Sequence, residues 1–116
     1  MRITDVIDEF IIMMEARPKP VANAGGIPIY VDMDHVTTRM WQRQIQVFEI
    51  MGILDELDKI SDQIWQIELG HRAWIFSPTY NISIGLHRYG QKAFTFKTVV
   101  RGKPYDGDKE LLEIPA

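Results

Sequence analysis

Three groups of residues in this 116-residue chain could do chemistry. The stretch "DMDH" sets Asp32, Asp34 and His35 within four positions, and two carboxylates with an imidazole can hold a divalent metal ion. Asp34 has a competing use as the N-cap of a following helix, and alternate strand positions commonly carry exposed acids. Structural use is therefore the expectation here, and no cofactor is implied. The second group is Arg39, Gln42, Arg43 and Gln46, spaced i, i+3, i+4 and i+7 along one helix face. Arginine suits bidentate contact with guanine and glutamine with adenine, whereas an ordinary solvated helix more often mixes lysine with glutamate. The third is Gly70 to Tyr105, which holds six basic and seven aromatic residues and neither aspartate nor glutamate.

That segment stands out because the chain as a whole carries a net charge of −3. Residues 1–69 hold 6 basic and 12 acidic side chains, and residues 106–116 hold 1 basic and 4 acidic. The overall balance argues against a polyanionic partner, while its segregation leaves room for one. The plainer alternative is that the basic segment packs beside the acidic ones and is neutralised by them. Catalysis has little support: His71 and His87 lack a nucleophile or carboxylate nearby in sequence, so a non-enzyme is expected.

Elements must position these groups. Residues 3–16 place Ile3, Val6, Ile7, Phe10, Met13 and Met14 at helical spacing, predicting an amphipathic helix that is buried in the core or offers a flank for a homodimer. "RPKPVANAGGIP" predicts a flexible connector, and "IPIYVDM" a short strand. A helix is predicted from Val36 to Met51, capped by Asp34 and stopped by Gly52. Met40, Trp41, Val47, Phe48 and Met51, flanked by Ile45, form its expected buried stripe. A short helix over Leu54 to Ile60 follows. "QIWQIELGHRAWIF" predicts two strands joined at Gly70-His71, and "NISIGLHRYGQKAFTFKTVV" a second hairpin turning at Tyr89-Gly90-Gln91. The acidic tail 106–116 is expected to make one helical turn or hang loose.

In that second hairpin, pairing Leu86 with Phe94, Ile84 with Phe96 and Ile82 with Thr98 gives one coherent apolar face. Phe94 and Phe96 then belong to the core. Arg88 would oppose Lys92, with Lys97 and Arg101 further along the polar face. Such clustered cations suit a phosphate backbone. The fold class is α+β: N-terminal helices, then an antiparallel meander of two hairpins, in a single domain over residues 1–105.

"VTTRMWQRQIQVFEIMGIL" followed by "QIWQIELGHRAWIF" resembles the recognition helix and two-stranded wing of winged-helix DNA-binding domains, over residues 36–77. The resemblance implies Thr37, Thr38, Arg39, Gln42 and Arg43 as groove readers, with His71 and Arg72 at the wing tip. In place of the short helix that precedes a recognition helix stands "GGIPIYVDMD", and a second hairpin follows the wing.

Together these readings give a small nucleic-acid-binding protein, DNA or RNA, acting in transcription or replication through the Arg/Gln helix face and the basic hairpin. The alternative is a non-enzymatic protein-interaction module, such as a phage-type inhibitor or a subunit of a larger assembly. No apolar run is long enough to span a membrane. The opening "MRITDVIDEF" places acids where a secretion signal needs an apolar core, so a cytoplasmic location is expected, or a host's cytoplasm for a viral protein.

Overall fold

The computed structural model describes residues 20–104 and 110–116. The segment 3–16, with its expected helix and dimer flank, lies outside the described residues. The chain enters through strand β1 (Ala22–Ala24), which pairs antiparallel with β2 (Ile27–Val31). Gly25 and Gly26 join them with φ of +58° and +91°. Two left-handed residues in succession are what a two-residue type I′ hairpin needs, and glycine adopts them without a steric penalty. The described part of the expected connector is thus a hairpin.

Helix α1 (Met33–Arg43) follows at once. Its cap is Asp32, whose carboxylate accepts the His35 N–H at 3.4 Å, while Asp34, the expected cap, lies in the first turn. The helix ends at Gln44, which is left-handed at φ +54° and donates its N–H back to the Met40 and Trp41 carbonyls. Helix α2 (Val47–Glu56) then starts on a capping box, in which the Glu49 carboxylate accepts the Gln46 N–H at 3.0 Å. The single helix predicted from Val36 to Met51 is therefore two, and Gly52 lies inside α2 instead of ending a helix. A 3-10 turn (Leu57–Ile60) and a short helix α3 (Ser61–Trp65) complete the helical part.

Of the two strands predicted across the Gly70-His71 turn, the first is α3 and its exit; the second is β3 (Arg72–Ser77). Strands β4 (Ile82–Gly90) and β5 (Ala93–Arg101) form the second hairpin. Its turn is Gln91-Lys92, and Leu86 pairs with Phe96 and Arg88 with Phe94. The predicted register is thus off by two residues, a slip that keeps every side chain on its own face. A bulge near Lys97 then shifts the pairing once more, so that Ile84 meets Val99. Phe94 and Phe96 are buried, as expected.

Residues 110–114 do not hang loose. Glu110–Glu113 forms β6, parallel to β3, and buries Leu112 and Ile114. The sheet order is β1-β2-β5-β4-β3-β6, with parallel pairings at β2–β5 and β3–β6. The fold is α+β, as predicted. Its sheet is mixed instead of a meander, and the described helices lie between strands in sequence. The core joins Ile53, Leu57, Ile60 and Ile64 of the helical part to Ile27, Ile29, Ile84, Leu86, Phe94 and Phe96 of the sheet.

The predicted buried stripe is largely on the surface. Trp41 is 85% exposed, Phe48 69%, Val47 66% and Met51 49%. For the residues of α2 the break at Gln44 is the cause: it re-aims the helix so that Ile50, Ile53, Leu54 and Leu57, at i, i+3, i+4 and i+7, face the core.

Candidate interaction surface

The basic residues of Gly70 to Tyr105 are mostly engaged within the molecule. Lys97 pairs with Asp32 at 3.1 Å, Arg101 with Glu49 at 3.2 Å, and Lys103 with Glu113 at 2.8 Å. Arg101 also donates to the Gln44 carbonyl at 2.8 Å, so it holds the α1–α2 connection against β5. His71 lies 3.4 Å from Glu68. The acids excluded from this segment by sequence are returned to it by the fold.

Arg88, expected opposite Lys92, instead lies against α3. Its guanidinium donates to the Trp65 carbonyl at 3.0 Å, the Ile67 carbonyl at 2.8 Å and the Gln91 carbonyl at 2.7 Å. Lys92 is exposed in the β4–β5 turn, and Arg72 is exposed at the start of β3. His71 precedes β3 without a wing hairpin before it: its carbonyl accepts the Arg88 N–H, extending the β3–β4 ladder.

Two carboxylates carry a pH signature. The hydrogen bond from Lys97, with the capping bond from His35, holds the Asp32 carboxyl below its ordinary range. Hydrogen bonds from Arg101 and then from the Gln46 N–H do the same for Glu49. A lowered folded-state pKa means that the unfolded chain takes up protons first as the pH drops. The stabilisation is complete above the unfolded values of about 4 and is lost as the pH falls through the lower folded-state values. Denaturant titrations from pH 6 downward should therefore show stability falling below about pH 5. The variant Glu49→Gln should flatten that slope, and an unchanged slope would reject the assignment.

On α1, the Thr37 hydroxyl donates to the Met33 carbonyl at 2.6 Å and the Thr38 hydroxyl to the Asp34 carbonyl at 2.7 Å. Arg39 donates to the Gln42 side-chain oxygen at 3.0 Å. Arg43 turns away from this face, donating to the Val99 carbonyl of β5. The expected groove readers are therefore divided: Thr38, Arg39 and Gln42 share an open depression of about 540 Å³, and Arg43 ties the helix to the sheet. Asp32, Asp34 and His35 line the same depression. Its carboxylates oppose a phosphate at the place where Arg39 would attract one. Among the described residues, no group of three histidine, aspartate or glutamate side chains is placed to hold a metal ion.

Sequence reasoning missed an apolar surface. Trp41 near the end of α1 and Phe48 near the start of α2 flank the connector Gln44 to Gln46 and are both exposed. Beside them a groove of about 210 Å³ runs between the helices, walled by Met33, Val36 and Met40 of α1 and by Val47, Met51 and Leu54 of α2. Val31 and Phe96 also line it. The signal was present in the sequence, since Trp41, Val47, Phe48 and Met51 form an apolar series. The break at Gln44 assigns Val47, Phe48 and Met51 to the surface. No protein-family model, curated protein or solved structure matches the chain.

Proposed function

We propose that the protein is a non-enzymatic protein-interaction module that engages its partner at the α1–α2 corner. The observation that carries this reading is the exposure of two large aromatic rings, Trp41 and Phe48, on either side of a three-residue connector. Isolated surface apolar residues are ordinary, but grouped ones mark interaction sites, and tryptophan is among the residues that dominate binding energy. The corner is well supported for such a role. The Gln44 carbonyl and the Glu49 carboxylate are both held by Arg101, so the rings project from a fixed frame.

A second reading keeps nucleic acid as the partner. It rests on the exposed Trp41 indole next to Gln42, on the helix that also carries Arg39, where a base could stack on the ring. Arg72 and Lys92 would then supply phosphate contacts. Arg88, Lys97 and Arg101 contribute less to this reading than their sequence positions suggest, because each already has partners within the fold.

Trp41→Ala and Phe48→Ala should each weaken partner binding by about 30-fold or more, the threshold of an interface hot spot. Both should melt within a few degrees of the parent, since neither ring is in the core. Binding is read as retention of one protein from nuclease-treated lysate of the source cell, followed by titration of that protein. Equal retention by both variants would reject the corner as the site. A salt-dependent electrophoretic shift lost in Trp41→Ala and Arg39→Glu would favour the nucleic-acid reading.

A further inference from the structure

We infer that the groove between α1 and α2 is the seat of the chain's own N-terminal segment, residues 3–16, docked by its apolar stripe. This stands apart from the corner's role, since Trp41 and Phe48 do not line the groove. Apart from Thr37 on α1, the lining residues are apolar. Such a surface favours an apolar occupant and disfavours a charged one. At about 210 Å³ the groove is smaller than the roughly 300–1,000 Å³ of small-molecule pockets. It suits a few inserted side chains.

Residues 3–16 supply such side chains: Ile3, Val6, Ile7, Phe10, Met13 and Met14 recur at helical spacing, with Asp5, Asp8 and Glu9 on the other side. An occupant of this kind would bury its stripe in the groove and leave its acids in water.

Connectivity selects this segment over other apolar helices. Val21, just after the first described residue, itself lines the groove. The link from Ala16 to Pro20 spans at most about 14 Å, close to the roughly 15 Å length of the ten-residue α2. The segment can therefore reach the groove from its Val21 side. A link this short also gives an effective concentration on the order of millimolar, which favours the same chain over a second copy at ordinary protein concentrations.

The absence of cysteine from the sequence makes the test direct. Full-length chains carrying Met13→Cys with either Met33→Cys or Met51→Cys, one on each wall of the groove, are treated with a short bis-maleimide. They are then analysed by intact mass and peptide mapping. The expected result is an intramolecular cross-link in the monomer for at least one pair, reduced at least fivefold when Ile7→Asp and Phe10→Asp are added. A cross-link indifferent to the two aspartates would mean mere tethering and overturn the inference. So would covalent dimers, which would assign the segment to a second copy, or no cross-link in either pair.

Discussion

Replacing Arg88 with alanine lowers the midpoint of thermal unfolding by about 8–16 °C, from a loss of about 2–4 kcal/mol. Helix α3, at five residues, is too short to hold itself together. Its last carbonyls need partners from elsewhere. One Arg88 nitrogen reaches both the Trp65 and Ile67 carbonyls, and a second reaches Gln91 in the β4–β5 turn. The guanidinium carbon lies 5.5 Å from the centre of the Trp65 ring and 5.2 Å from that of Phe94. Those rings meet edge to face at 5.9 Å. Truncation thus leaves carbonyls unpaired and removes a cation from two aromatic faces. Arg88→Lys should recover less than half of the loss, because an ammonium cannot fork to several carbonyls in one plane. Calorimetry on the three proteins checks the ranking. A fall under 4 °C for Arg88→Ala would mean that α3 is held by packing of Ile64 and Ile67 alone.

Arg88 also shows what sequence could and could not convey. Its charge and its place on a strand were legible, and so was the inward face formed by Ile84, Leu86, Phe94 and Phe96, because strand alternation specifies faces directly. Its partners were not, since its four side-chain hydrogen bonds all go to backbone carbonyls, which every residue type carries. The same holds for Arg43 on Val99 and Arg101 on Gln44.

The salt bridges Asp32–Lys97 and Glu49–Arg101 join residues more than fifty positions apart. The charge blocks foreshadowed neutralisation without naming the pairs. The helix break was hidden for a different reason. Gln44 carries no glycine or asparagine signature for its left-handed conformation, and glutamine is not a preferred N-cap at position 46. That single break moved Val47, Phe48 and Met51 of α2 from expected core to surface, where they join the exposed Trp41 of α1 in the candidate site. Strand β6 was illegible because its pairing with β3 is parallel and long-range, and nothing in "ELLE" specifies a strand over a turn of helix.

Gly52→Ala inverts the usual effect of that substitution. In an exposed helix interior, alanine is more stable than glycine by about 1 kcal/mol. In α2 the added methyl would overlap the hydroxyl oxygen and adjoining ring carbon of Tyr80, far inside van der Waals contact. Tyr80 lies between β3 and β4 and packs against the core, so its ring cannot swing away without losing that contact. The expected outcome is destabilisation by about 1–3 kcal/mol, the range for overpacking. In a Tyr80→Ala background the obstacle is gone, and the same Gly52→Ala change should stabilise by up to about 1 kcal/mol. Denaturant titration of the four proteins measures the coupling, and stabilisation by Gly52→Ala in the parent would refute the contact. The glycine is therefore where the loop at the end of β3 meets α2. Through that contact, and through Arg101 on Glu49 about one turn earlier, the sheet fixes the orientation of α2 and of the apolar residues it presents.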